Sequence, residues 1–160
     1  MSDFLELGLD HTQIENGTTN DYYTPKFIFD ALGVEFDIDV CAPFAGVPWI
    51  PAKKHFNILD DGLVQPWIGR VWMNPPYSKV TPWIDKFIAH GNGIALIPAA
   101  KSAWFNTMWI NADAVLSMSY DLKFYRNDGK RLSIFIHTFM VAMGSDNVAT
   151  LKASGLGYVR

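Results

Sequence analysis

The stretch Val71-Trp72-Met73-Asn74-Pro75-Pro76-Tyr77 decides how the rest of the chain is read. Its first three residues are bulky and apolar without alternation, the pattern of a short strand buried on both faces. Strands of that kind belong to parallel sheets, where ligands bind beyond the carboxyl ends of the strands. Asn74 stands at such an end. The two prolines after it fix φ and donate no hydrogen bond, so the loop is rigid and nearby carbonyls can be aimed at a ligand. The Asn74 side-chain oxygen and the Pro75 carbonyl can together accept the two hydrogens of an exocyclic amino group. Tyr77 offers a flat face on which a base can stack. Read as structure alone, the tetrapeptide is a turn that ends a strand.

Working outward, strands and helices alternate. Thr24 as N-cap, Pro25 at the first helical position and Gly33 at the end predict a short helix through Phe27, Ile28, Ala31 and Leu32. Phe36 to Cys41 alternates and predicts a strand, with Asp37 and Asp39 on one face and Ile38 and Val40 on the other. Residues 43–70 hold Pro43, Pro48, Pro51 and Pro66 and read as irregular. Thr81-Pro82 predicts the start of a second helix carrying Trp83, Ile84, Phe87 and Ile88. Gly93 to Pro98 is a fully apolar strand. Ser102 caps a third helix, in which Trp104, Phe105, Met108 and Trp109 recur at helical spacing and read as core rather than as a stacking platform. Ala114 to Met118 is another apolar strand. A late hairpin around Asn127-Asp128-Gly129 follows, adding antiparallel strands at one sheet edge. One more helix is expected near residues 147–154. The fold class is α/β, a sandwich around a mainly parallel sheet with an antiparallel hairpin at the C-terminal end.

The chain has 160 residues, enough for one domain with a real core. With 49% hydrophobic and 18% charged residues, it is not a disordered chain. The net charge of −3 excludes nucleic-acid binding by bulk charge and leaves only a local basic patch. One cysteine and four histidines give no metal-ligand spacing, so no metal is expected. No apolar run approaches the ~20 residues that span a bilayer. Residues 1–21 read as an N-terminal arm and 22–160 as the folded domain. The start carries Asp3, Glu6 and Asp10 rather than a signal peptide's basic residues, so a cytoplasmic protein is expected.

The ordered series Tyr23-Thr24-Pro25, Phe36 to Ala42, Asp61-Gly62-Leu63 with Trp67, then Val71 to Ser78, resembles the phage-type DNA N6-adenine methyltransferase family. The strand Gly93 to Pro98, with Ala99 and Trp104-Phe105, continues the resemblance, which spans roughly residues 22 to 143. It implies an abbreviated Rossmann-like methyltransferase sandwich that uses S-adenosylmethionine. It further implies that Asn74, Pro75, Pro76 and Tyr77 are catalytic. Tyr23, Thr24, Pro25, Asp39, Cys41 and Asp61 would then line the cofactor site. Asp37, Asp39 and the Asp60-Asp61 pair also have plain readings, as solvent-facing strand residues and as a turn before Gly62.

The substrate implied is double-stranded DNA with a flipped target adenine, since the base cannot be reached inside a duplex. Ser78, Lys79, Lys123, Arg126, Lys130 and Arg131 are the candidate contacts to DNA; the cations among them equally suit a solvated hairpin. A homodimer would bring two basic patches to one duplex. The resemblance also implies a phage or prophage origin, the bacterial host cell as location, and a role in marking phage DNA against restriction.

Two departures from the family pattern stand out. Cys41-Ala42-Pro43-Phe44-Ala45-Gly46 replaces the usual Gly-x-Gly loop, and Tyr120-Asp121 replaces Gly-Arg before Leu122-Lys123-Phe124. Residues 43–70 are also too few for the two strand-helix units of a full-size methyltransferase, since one βαβ unit takes ~30 residues. A trimmed sheet is expected, with a Pro-rich loop as one wall of the cofactor pocket. Two other functions suit the same residues: methylation of cytosine N4 or a protein amide, and a catalytically inactive nucleic-acid-binding module. His137, inside an apolar stretch, is expected to be a satisfied core residue.

Overall fold

The computed structural model describes residues 24–119, 124–125, 131–132 and 137–160. In chain order these hold α1 (Lys26–Leu32), β1 (Phe36–Asp39), β2 (Ala52–His55), β3 (Val71–Met73), α2 (Val80–His90), β4 (Gly93–Pro98) and α3 (Ala103–Asn111). There follow β5 (Ala114–Met118), β6 (Phe124–Tyr125), β7 (Arg131–Leu132), β8 (Thr138–Met143), α4 (Ser145–Ala153) and β9 (Gly157–Val159). Seven strands form one sheet in the order β2-β1-β3-β4-β8-β5-β9, and β6 and β7 pair separately. The pairs from β2 through β4 are parallel. Those from β4 through β9 are antiparallel.

The sequence pattern accounts for both layers of cover. On β4, Ile94 and Leu96 face one way and Ala95 and Ile97 the other, as a period of two requires. The first pair packs with Ile28, Phe29 and Leu32 of α1 and Leu151 of α4. The second packs with Val80, Ile84 and Phe87 of α2 and Met108 of α3. Each of the larger side chains, fully buried, contributes about 1.5–3 kcal/mol. Phe29, Phe36 and Trp72 meet edge to face, with centroids 4.7–6.4 Å apart, and seat α1 on β1 and β3.

The α/β sandwich is as the pattern predicts, with these differences. Residues 43–70 contain no helix but do contain β2, a parallel edge strand that the prolines around it conceal. Its exposed Lys53 and Lys54 protect the open edge from further pairing. The antiparallel strands occupy the C-terminal half of the sheet, but β8 inserts between β4 and β5 instead of joining at the edge. Its run Phe139 to Met143 is apolar enough to be covered on both faces.

Helix starts also differ. Thr24 caps nothing: Pro25 is the N-cap of α1, without a side-chain bond. Helix α2 begins at Val80, not at Thr81-Pro82. Gly33 ends α1 in the left-handed conformation, and Ser102 caps α3 through the Phe105 N–H, both as expected. Met108 is core, but Trp109 is 42% exposed, so the α3 aromatics are only partly interior. His137 is exposed, not core, and its Nε2 lies 2.8 Å from Ser117 Oγ.

Candidate active site

Parallel register aligns the strand ends. Asp39 pairs with Trp72, and Met73 pairs with Ala95. The residues following β1, β2 and β3 therefore emerge at one edge of the sheet. Phe56 N–H donates to the Asp39 carbonyl and Ala42 N–H to the Phe56 carbonyl, both at 2.8 Å, which zips the first two exits together.

The Asn74 loop is built as its prolines dictate. Pro75 is buried, and Lys79 N–H closes a turn onto the Pro76 carbonyl at 3.2 Å. Asn74, Pro76 and Tyr77 are half-buried, and Ser78 and Lys79 are exposed. The Asn74 Nδ2 donates to Thr24 Oγ1 at 3.4 Å. Thr24 is buried, and its own carbonyl accepts from Trp49 Nε1 at 2.7 Å. The hydroxyl thus engages the donor end of the Asn74 amide and turns its oxygen end elsewhere. This is the physical reason Thr24 fails as a cap: its side chain is committed across the sheet edge. Trp49 gave no signal in the sequence, because an indole in a proline-rich loop carries no chemistry of its own.

The two aspartates of β1 have opposite surroundings. Asp37 takes hydrogen bonds from Lys53 Nζ at 3.0 Å and Arg70 N–H at 2.8 Å. The Lys53 bond, then the Arg70 bond, hold its carboxyl below the usual range. Its role is structural, tying the loop before β3 to β1. Asp39 is 3% exposed, and among the described residues its carboxyl accepts only from Cys41 N–H, at 3.4 Å. Burial pushes its pKa up to about 7, against a small lowering by that bond. A buried carboxyl with so little compensation at a strand end suits a cationic ligand. The solvent-facing reading of Asp39 is therefore wrong.

Asp61 is exposed and left-handed, with φ 53°, and its Oδ1 accepts from Leu63 N–H at 3.2 Å. Gly62 after it is wedged: a Cβ there would fall on the Val40 carbonyl oxygen and lie 3.1 Å from Trp83. Only glycine lets the loop lie against the end of β1. Trp67 Nε1 donates to the Gly62 carbonyl at 2.8 Å, and its ring stacks on Trp83 at 6.4 Å. Lys86 of α2 reaches the same loop, a residue the sequence did not single out. Sitting between Asp85 and Phe87 on an amphipathic helix, it reads as ordinary surface charge.

The structure thus brings Thr24, Asn74 and Trp49 together, and sets Asp39, Cys41 and Gly62 around the end of β1. Tyr23, Lys123, Arg126 and Lys130 lie outside the described residues, and Arg131 begins β7. The described residues hold no His, Cys, Asp and Glu cluster fit for a metal, and no helix long and apolar enough to cross a membrane. The family model for DNA N-6-adenine-methyltransferase (Dam) matches residues 11–137. No curated protein matches the chain.

Proposed function

We propose that this chain, which belongs to the DNA N-6-adenine-methyltransferase (Dam) family, transfers a methyl group from S-adenosylmethionine to N6 of adenine in duplex DNA. The observation that carries the proposal is Asn74 at the carboxyl end of a buried parallel strand, its amide nitrogen held by Thr24. With the nitrogen so engaged, the buried oxygen end is assigned to accept from a substrate amino group.

The chain's own residues do the following. Asn74 Oδ1 and the Pro75 carbonyl accept the two amino hydrogens of the target base. This draws the nitrogen toward tetrahedral geometry and makes its lone pair available. Tyr77 stacks on the flipped base and excludes water from one face. Tyr23, Thr24, Pro25, Asp39, Cys41 and Asp61 would hold the methyl donor, a cation that the buried Asp39 carboxylate would suit. When bound, S-adenosylmethionine supplies an activated methyl on a sulfonium. The departing amino proton leaves to solvent after transfer, so no strong base is required. Positioning and preorganised dipoles supply the rate.

Lys79 and Ser78, exposed beside the loop, contact the DNA backbone, together with Lys123, Arg126, Lys130 and Arg131. With a net charge of −3, this binding should be salt-sensitive. A phage or prophage enzyme in a bacterial cytoplasm, with residues 22–160 as its catalytic domain and a homodimer on the duplex, completes the reading.

Incubation with methyl-labelled cofactor tests the proposal, with unmethylated duplex DNA, RNA and a glutamine-containing protein as acceptors. Label in DNA is the expected result. Label in protein alone, or in no acceptor, overturns it.

A further inference from the structure

Lys86 occupies an unusual place for a lysine. Its Nζ donates to the carbonyls of Gly62 at 3.2 Å, Leu63 at 2.7 Å and Gln65 at 2.5 Å. An ammonium has three donors, and all three go to backbone oxygens of one short loop. The same Nζ lies 4.9 Å from the centroid of the Trp67 ring. No carboxylate forms an ion pair with it among the described residues. A solvated surface lysine would not converge on three carbonyls in this way.

What the ammonium holds gives it meaning. Gly62 rests against the Val40 carbonyl and Trp83, so the loop cannot shift without leaving the end of β1. Asp61 precedes Gly62 in a left-handed conformation, and its Oδ1 accepts from Leu63 N–H of the same loop. On its other side, Lys86 belongs to α2, whose first residue Val80 follows Lys79 and the turn begun at Pro76. One helix thus begins just after the Asn74–Tyr77 loop and grips the Gly62–Gln65 loop.

We propose that Lys86 is a positioning residue that fixes Asp61 for cofactor binding and ties the Gly62–Gln65 loop to the helix leaving the Asn74–Tyr77 loop. The inference rests on the reading of Asp61 as a cofactor residue made above. Lys86 touches neither cofactor nor DNA; it acts through the Gly62–Gln65 carbonyls.

The test is Lys86→Met, which keeps the aliphatic stem over Trp67 and removes every donor. S-adenosylmethionine dissociation is measured by calorimetry, and methyl transfer at saturating cofactor, at a temperature where circular dichroism matches the unsubstituted protein. The expected result is a dissociation constant and a cofactor KM raised about tenfold or more, with kcat within about threefold. Asp61→Asn, which should weaken binding alone, should add less than about twofold in the Lys86→Met background.

An unchanged dissociation constant, or two effects that simply multiply, overturns the inference. If Lys86→Met does not fold, Lys86→Arg decides. Its planar fork cannot converge on three carbonyls around one point, so it must still weaken cofactor binding, and unaltered binding overturns the inference. Failure of the unsubstituted protein to bind S-adenosylmethionine would sink the proposed function and this inference together. Binding that is indifferent to Lys86 sinks the inference alone.

Discussion

The two halves of the sheet are built on opposite rules. From β2 to β4 all strands run parallel, so every strand exit lies at one edge, and Asp39, Asn74 and the Gly62 loop gather there. From β8 to β9 neighbours run antiparallel, and exits alternate between the two edges. The parallel half has short strands, irregular connections and a buried carboxyl without a strong partner. The antiparallel half has long pairings, with Met140, Val141 and Ala142 opposite Leu116, Val115 and Ala114, and its described strands bury almost only apolar groups. Parallel pairing concentrates chemistry, and antiparallel pairing supplies the rigidity against which that chemistry is held.

The comparison predicts that rate and stability can be damaged separately. In the parallel half, Asn74→Ala should lower kcat about a thousandfold, near 4 kcal/mol of barrier, with cofactor affinity within a few-fold. Calorimetry beside single-turnover transfer would check this, and an active variant would break the assignment. In the antiparallel half, Met140→Ala should cost about 3 kcal/mol of unfolding free energy in urea. Its kcat should be unaltered well below the melting temperature. A loss of kcat there would mean that the halves are not separable.

A smaller effect should appear with pH. The raised Asp39 pKa means that the folded state holds a proton the unfolded chain gives up, so its contribution to stability falls as pH rises from about 4 to about 7. A cationic cofactor prefers the ionised carboxyl. Its affinity should therefore rise about tenfold between pH 6 and pH 8, and Asp39→Asn should flatten both profiles. Titration at four pH values would show it. The smallest effect is expected at Trp109→Ala on the exposed flank of α3. It should change stability by about 1 kcal/mol or less and leave transfer alone. A large loss of DNA binding in that variant would instead make the α3 aromatics part of the DNA surface.

How far the sequence carried the reading differs between the same halves. The apolar strands β3, β4 and β5 and the Asn74-Pro75-Pro76 loop were legible, because buried strands leave unbroken apolar runs and proline declares its own φ. Gly33 and Ser102 declared helix ends for the same local reason. Edge strand β2 was not legible, because an exposed Ala-Lys-Lys-His run has no hydrophobic pattern to show. The insertion of β8 was not legible either, since which strands pair at long range is a tertiary choice. Thr24 was misread as a cap because the Asn74 amide, fifty residues away, competes for its hydroxyl. Lys86 was invisible because its partners are backbone carbonyls, which carry no sequence identity.

The identity of the methylated nucleoside reports the chemistry itself. Duplex DNA methylated with labelled cofactor is digested to nucleosides, and the label is assigned by chromatography and mass spectrometry. The account predicts label in N6-methyldeoxyadenosine, lost in Asn74→Ala. Label in N4-methyldeoxycytidine, or equal labelling by Asn74→Ala, would contradict it.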